Sequence, residues 1–534
     1  MISKSYSKAS RPGTLIKLAS LLRKSDANLF RMLASFLLGG LLPFSFAPFD
    51  YWPLALISVA LFHWTLDTTD TVKDALKLGW SYGFGVFAVG ASWVYVSIHE
   101  YGYAPVPLAL LMTGLFTFLL GLFFALQAAS YKAWFSSNAH LSLFAFPALW
   151  VLFEWIRSWL FTGFPWLFLG YGHLDSWLSG WAPVFGIYGV SLIVALSASA
   201  LKSTITNQSC GTKALSIALI ISLWPIGFIA SQTQWTESKR ELSVTLMQGN
   251  IPQEKKWLKE YRPVSLDTYR QLNRNTNSEL IIWPETAIPY FKHQVTDWLD
   301  ETERQLKPEQ GLITGIPYYD HKSPANAPTL HNTVIGLGRA AGQYHKQKLV
   351  PFGEYVPLQD YLRGLIEFFN LPMSNFRPGP AQQSSLTYKD LTLWPAICYE
   401  IAYPAFIASN IKQDKRQQDI IITISNDAWF GDSIGPKQHL QIAQMRALEN
   451  SRYVLRATNT GLTAVIDEKG QISESMPDFV AGGLNAKAVA LTGLTPYSQW
   501  LNYPILALIS LILLFTCVHT QFIARTSKQS DQHL

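Results

Sequence analysis

Leu393-Trp394-Pro395-Ala396-Ile397-Cys398-Tyr399-Glu400 carries an apolar run straight into a thiol, a phenol and a carboxylate. Leu391 to Ile397 reads as a buried strand, and the residues from Ile401 to Asn410 can begin a helix. Cys398 is therefore expected at a strand-to-helix corner, where the free N–H groups of a first helical turn favour a thiolate. A single cysteine is more often a small buried hydrophobe than a nucleophile. Its company elsewhere in the chain decides between the two.

Two other stretches are punctuated in the same way. Ile281-Ile282-Trp283-Pro284-Glu285 sets a carboxylate just past a buried run. Tyr344-His345-Lys346-Gln347-Lys348-Leu349-Val350-Pro351-Phe352-Gly353-Glu354-Tyr355-Val356-Pro357 sets a lysine and a second carboxylate on a loop. A Glu, a Lys and a Cys together can perform acyl transfer. The carboxylate takes and returns a proton, the ammonium stabilises an oxyanion, and the thiolate holds the acyl group as a thioester. Taken singly, a Glu after a strand or a Lys on a loop is ordinarily solvated. Sequence spacing alone does not bring the three together. The other cysteines, Cys210 in a polar loop and Cys517 in an apolar helix, form no disulfide framework with Cys398. No Cys/His spacing suggests zinc, and neither a metal nor another cofactor is expected.

Of the 534 residues, 49% are hydrophobic and 15% charged, which indicates a membrane protein carrying a sizeable soluble part. The net charge of +6 comes without a basic stripe interleaved with aromatics, which argues against nucleic acid. Apolar runs near 30–48, 51–68, 76–98, 105–130, 141–161, 178–202, 214–231 and 504–524 predict about eight transmembrane helices, the first retained and not cleaved as a signal. Lys4, Lys8, Arg11, Lys17, Arg23, Lys24, Lys132, Lys213, Arg525 and Lys528 fall on one side of that arrangement, while 99–104 and 162–177 contain no Lys or Arg. The positive-inside rule then places both termini in the cytoplasm and residues 232–503 outside. Asp67, Asp70 and Asp74 fit that orientation poorly. The resulting division is a basic cytoplasmic segment 1–29, a seven-helix domain 30–231, an outer domain 232–503, a last helix 504–524 and a tail 525–534.

Trp93 and its neighbours Ser92 to Glu100, and Thr162-Gly163-Phe164-Pro165-Trp166, lie at the expected outer interface. They suit an aromatic belt as well as a substrate lining. Glu154 and Arg157, three apart on the fifth helix, can pair on one face. In the outer domain 242–248, 280–283, 311–316, 332–337, 391–397, 420–425 and 462–467 read as strands and 438–451 as a helix, giving a layered α/β domain.

The segments W-P-E, Y-x-K-x-x-L-V-P-F-G-E-Y-V-P and C-Y-E resemble the Glu-Lys-Cys triad of the nitrilase superfamily, in the longer form of its membrane-embedded branch, the apolipoprotein N-acyltransferases. Gln248-Gly249-Asn250-Ile251-Pro252-Gln253 with Lys256-Trp257, Ser425 to Gly431, Gln438-His439-Leu440 and Arg456 to Gly461 resemble it too. So do W-V-Y-V-S-I and F-T-G-F-P-W in the membrane part. The resemblance implies an α-β-β-α sandwich on the outer face of the helical bundle. It implies Glu285 as general base, Lys346 as oxyanion stabiliser and Cys398 as nucleophile, with Glu354, Tyr399 and Glu400 in support. Trp257, on a loop near the entrance, Trp429, Asn426, Trp93 and Trp166 would meet substrate. The implied donor is a phospholipid, phosphatidylethanolamine first, and the acceptor is the amine of a diacylated apolipoprotein at the inner membrane of a Gram-negative cell, with the enzyme acting as a monomer. A membrane-tethered amidase using the same triad, and a lipid-binding or transport protein without catalysis, are the competing readings.

Overall fold

Apolar runs become helices along the first half of the chain. The computed structural model describes residues 28–206, 209–320, 329–355, 376–412 and 417–531, with side chains to residue 520. Nearly all of the basic segment 1–29, the side chains of the tail 525–534, and Val356 and Pro357 lie outside the described residues. Among the described residues six helices are long and apolar enough to cross a bilayer: Asn28–Ser45, Val106–Trp134, Ala139–Arg157, Trp177–Thr206, Cys210–Ser231 and Tyr503–Thr520. Val72–Gly90 and Trp93–Tyr101, bent by 56° at the break between them, make a seventh if taken as one span. The expected count of about eight is reduced because Pro53–Asp67 is only 15 residues long. Pro53 opens it without an N–H, and the polar Thr68-Thr69-Asp70-Thr71 stretch ends it.

Polar groups inside the bundle find partners. Asp67 forms an ion pair with Lys202 and accepts from the Tyr131 hydroxyl at 2.6 Å, so this carboxylate of the poorly fitting acidic loop is neutralised. Glu154 and Arg157, expected to pair, instead hold the loop that follows them. Glu154 Oε1 accepts from Leu169 N (2.7 Å) and Trp150 Nε1 (3.0 Å). Arg157 donates to the carbonyls of Phe164 and Trp166, and its guanidinium lies over the rings of Phe87 and Phe168. The two carbonyls accept from the same guanidinium nitrogen, Nη1. The consequence is that Trp166 is fixed.

Among the described residues thirteen strands follow: β1 (Glu237–Gln248), β2 (Leu280–Ile282), β3 (Gly311–Asp320), β4 (Thr329–Gly338), β5 (Ala340–Ala341), β6 (Gln343–His345), β7 (Leu386–Tyr388), β8 (Leu391–Ile397), β9 (Ile420–Ser425), β10 (Val454–Thr458), β11 (Thr463–Ile466), β12 (Ile472–Met476) and β13 (Gly482–Thr492). One sheet has the order β13-β1-β2-β3-β4-β6 and the other β12-β11-β10-β9-β8-β7-β5. β1, β2 and β3 run parallel in the first, and β8, β9 and β10 in the second. The period-2 alternation of strand side chains divides the first sheet. Val244, Leu246, Leu280, Ile282 and Ile313 join the core shared with the second sheet. Met247, Ile281, Leu312 and Ile335 meet Leu266, Tyr269 and Leu299 of the helices Arg262–Asn273 and Thr296–Gln305. β9 is buried at every position, as a parallel strand covered on both faces should be. Helices Pro404–Ile411 and Gly435–Asn450 cover the second sheet and share its core with the membrane helices. The result is an α-β-β-α sandwich whose second helix layer is buried against the bundle.

A buried carboxylate, Glu449, joins the two parts. Gly186 (φ 67°) interrupts its helix, where the Tyr497 ring leaves no space for a Cβ. The N–H of Ile187 beyond it donates to Glu449 Oε1 at 2.7 Å. Glu449 also pairs with Arg446 at 3.0 Å, both side chains fully buried. Glu449→Ala, which strands the Arg446 charge, is expected to cost about 3–5 kcal/mol, seen as a lower melting temperature of the detergent-solubilised protein. Melting within a degree of the parent would remove this pair from the inter-layer weld.

Candidate active site

Strand ends deliver the chemistry. Glu285 follows β2, Lys346 follows β6, Cys398 ends β8 and Asn426 ends β9. Side chains at the carboxyl ends of parallel strands converge where the strands stop. Trp283 N donates to Ile313 O at 2.8 Å and Gly315 N to Pro284 O at 3.3 Å, pinning the Glu285 turn to β3. A Cβ on Gly315 would stand 2.5 Å from Thr286 N and 2.8 Å from Glu285 Cα, so only glycine lets β3 pass this closely. Lys346 N donates to Asn332 O at 2.8 Å, which fixes the start of the loop after β6.

Lys346 is 1% exposed and sits between two carboxylates. Its Nζ lies 2.8 Å from Glu354 Oε2 and 3.6 Å from Glu285 Oε1. Asn332 Nδ2 donates to both, at 2.7 Å to Glu285 Oε1 and 3.0 Å to Glu354 Oε1. Asn426 N donates to Glu285 Oε2 at 2.8 Å, and Val350 N to Glu354 Oε2 at 2.8 Å. Burial works against the Lys346 charge, but Glu354 and Glu285 outweigh it and hold the ammonium above the ordinary lysine range.

Cys398 stands at φ 53°, a left-handed backbone that a non-glycine residue adopts only when its surroundings impose it. The expected helix at Ile401 begins later: a 3₁₀ turn spans Cys398–Ala402 and the α-helix is Pro404–Ile411. The expected lowering of the thiol pKa is overturned. Burial pushes the thiol up, the Glu285 charge adds to this, and Lys346 opposes both. The desolvation of a thiolate here exceeds what one short helical turn can return, so Cys398 rests as a thiol.

Glu400 locks the corner. Its Oε1 accepts from Tyr344 Oη (2.8 Å), Gln347 N (2.6 Å) and Lys348 N (3.1 Å), and its Oε2 from Ile397 N (2.8 Å). One carboxylate thus ties the lysine loop to the cysteine strand. Burial pushes its pKa up to about 7 against these donors. His345, next to Lys346, contacts Thr333 Oγ1 at 2.8 Å and Gln343 Nε2 at 3.0 Å. Burial first, then His331, lowers it to about 4, with Lys292 adding and Asp320 opposing. A histidine lowered on folding contributes stability that is full above its unfolded value near 6.5 and is lost as pH falls towards 4. Denaturant midpoints should therefore decline over that window in the parent and less steeply in His345→Gln; equal slopes would exclude His345 as a source.

The membrane loops close over the corner. Tyr399 Oη donates to Gly163 O (3.2 Å) and Tyr403 Oη to Thr162 O (2.9 Å). Trp166 lies near-parallel to Tyr399, with ring centres 6.4 Å apart, and packs on Trp93 at 5.3 Å. Phe430 meets Trp93 edge-on at 4.7 Å. Trp429 offers its carbonyl to Ser97 Oγ at 2.8 Å, and its ring meets Tyr101. The structure therefore gathers Trp166, backed by Trp93, against the Cys398 corner, whereas Trp429 meets the Ser97 to Tyr101 stretch. Asn426 contacts Glu285 and Gln253, and Trp257 follows the short helix Gln253–Lys256, its carbonyl accepting from Arg262.

Sequence reasoning assigned no role to Asn332 or to Lys256, whose buried Nζ donates to Glu285 O at 3.2 Å and which burial lowers to about 8. Both lie within quoted stretches, but a polar residue's aim is invisible until the strands are stacked.

Two family models match this chain: the Apolipoprotein N-acyltransferase N-terminal domain over residues 38–200 and Carbon-nitrogen hydrolase over residues 243–496. Among similar curated proteins, the Apolipoprotein N-acyltransferase of Pseudomonas paraeruginosa is 45% identical over 484 residues, covering 89% of this chain and 93% of that one. Those of Azotobacter vinelandii (44%, covering 89% and 92%) and Coxiella burnetii (41%, covering 90% and 98%) carry the same name.

Proposed function

The chain belongs to the apolipoprotein N-acyltransferase family, and on that premise we propose that it moves an acyl chain from a phospholipid to the amine of a diacylated apolipoprotein through a thioester on Cys398. One observation carries the reading: a buried Glu285–Lys346–Glu354 array acts on a thiol that sits directly beneath tryptophan-lined loops of a membrane bundle. Glu285 takes the thiol proton, and the sulfur attacks the ester carbonyl. Lys346 faces the oxygen that gains charge. The ester C–O bond breaks, Glu285 returns the proton to the departing lysophospholipid, and the thioester remains. The acceptor amine then attacks, gives its proton to Glu285, and the C–S bond breaks to an amide and a thiolate, which the same proton restores to thiol. Exclusion of water by the Trp93, Trp166 and Phe430 cover favours amine over water as the acceptor.

In the same proposal residues 232–503 form the periplasmic catalytic unit, 30–231 and 504–524 the membrane domain of the inner membrane, and 1–29 and 525–534 the cytoplasmic ends. Phosphatidylethanolamine is the donor, and the enzyme works as a monomer in a Gram-negative envelope. Glu354, Tyr399 and Glu400 support the site, while Trp257, Trp429, Asn426, Trp93 and Trp166 meet substrate. Anchoring both substrates in the bilayer confines their search to two dimensions.

The test is intact-protein mass spectrometry after exposure to phospholipid alone, followed by addition of a diacylated lipopeptide. We expect a hydroxylamine-sensitive acyl adduct on the Cys398 peptide that chases onto the lipopeptide amine and is missing in Cys398→Ser. Acyl released only as free fatty acid would make the protein a hydrolase. A folded parent that never acquires acyl would leave lipid binding without catalysis.

A further inference from the structure

Behind the nucleophile lies a fully buried polar cluster that the steps above leave unused. Asp427, His439 and Arg456 are each 1% exposed or less. Asp427 Oδ1 accepts from Ser425 Oγ at 2.6 Å and lies 3.0 Å from His439 Nδ1, while Arg456 Nη2 bonds the other carboxylate oxygen. Arg456 Nη2 also lies 3.2 Å from His439 Nδ1. The far edge of the imidazole, Nε2, is 3.3 Å from the backbone carbonyl of Cys398. A carbonyl oxygen only accepts, so Nε2 carries the proton of this hydrogen bond. Nδ1 then accepts from Arg456 Nη2 when the ring is neutral and donates to Asp427 Oδ1 when the ring is an imidazolium.

The Cys398 carbonyl and the Tyr399 N–H belong to one peptide group, which is trans. In a trans peptide the two point to opposite sides. Holding the carbonyl against His439 therefore aims the Tyr399 N–H away from the buried cluster. That N–H is the second donor of the Cys398–Ala402 turn, after the N–H of Cys398 itself. A nucleophile on a strained strand-to-helix corner commonly uses the N–H of the next residue to bind the oxyanion. The φ of 53° at Cys398 needs an imposed orientation to persist, and His439 supplies one.

We propose that His439, held by Asp427 and Arg456, is a positioning residue that orients and polarises the Cys398–Tyr399 peptide so that the Tyr399 N–H joins Lys346 in binding the oxyanion. The inference rests on Cys398 being the acylated residue. Trp166 and Phe430 pack on the imidazole, with ring centres 5.7 Å and 6.0 Å away, so His439→Phe retains the packing and His439→Gln retains a donor.

Both variants and the parent are to be acylated with phospholipid carrying a ¹³C ester carbonyl, without acceptor, and the thioester carbonyl band recorded by difference infrared spectroscopy. In the parent we expect the band at lower wavenumber than in the same acyl-protein after denaturation. His439→Phe should lose most of that displacement and acylate at least tenfold more slowly at unchanged donor KM, a share of the roughly 10²–10³ that removing an oxyanion donor costs. His439→Gln should recover part of both. A His439→Phe protein that acylates at the parent rate, or that slows while its band keeps the parent displacement, overturns the proposal. A parent without any thioester band would instead remove the premise that Cys398 is acylated.

Discussion

Glu285→Gln should acylate Cys398 about 10²–10⁴ times more slowly than the parent, the span that general-base catalysis covers. The thiol is held protonated, by burial first and by the Glu285 charge second, so the acceptor of its proton cannot be replaced by bulk water in a covered site. Two donors, Asn332 Nδ2 and Asn426 N, converge on the two carboxylate oxygens, and an amide can satisfy only one. The same substitution should move thiol alkylation the other way. Removing the Glu285 charge takes away a neighbour that holds the thiol up, so a small neutral alkylating agent should react at lower pH than it does with the parent. Slower acylation with easier ionisation is the signature of a lost base. Acylation and alkylation falling together would mean that the site had been disrupted instead.

Lys346→Met should abolish turnover and destabilise the fold together. Loss of a preorganised oxyanion contact costs roughly 10²–10³ in rate. Removing one partner of a buried ion pair costs about 3–5 kcal/mol, because the remaining charge is left uncompensated. Here the remainder is two carboxylates, Glu285 and Glu354, joined through one Asn332 side chain. The thiol should become harder to ionise, since Lys346 is the larger of the two groups, with Ser425, that oppose its upward shift. Lys346 is raised on folding, so the stability it contributes is full below the ordinary lysine value and is lost only as pH rises above it. The deficit in Lys346→Met is therefore expected at neutral pH and shrinks in acid once Glu285 and Glu354 are protonated. Adding Glu354→Leu should recover much of the melting temperature and none of the turnover. Recovery of turnover in the double variant would show that Lys346 acts only by neutralising Glu354.

The stretches most legible in the sequence were those where one physical demand dominates. A bilayer requires long apolar runs, and a strand buried on both faces requires a continuous one, so most spans and β8 and β9 could be read directly. Strands with other requirements were missed. β12 is largely exposed and polar, and β13 alternates small alanines along its pairing with β1; neither shows the aromatic and branched enrichment that marks a strand. The third span looked unbroken because a bend between Gly90 and Trp93 leaves no trace in hydropathy.

At the site, residue type and family motif singled out the groups proposed to carry the chemistry, Glu285, Lys346 and Cys398, each punctuating a strand end. Only the tertiary structure decided the state in which they wait. The thiol is raised, not lowered, because desolvation and a neighbouring carboxylate depend on distances across two sheets. Arg157 serves the Trp166 loop, although its i,i+3 spacing to Glu154 suggested a pair. Asn332 and His439 acquire roles only once residues 22 to 47 apart in the chain are brought together, since a hydrogen bond depends on direction and an amino-acid sequence records none.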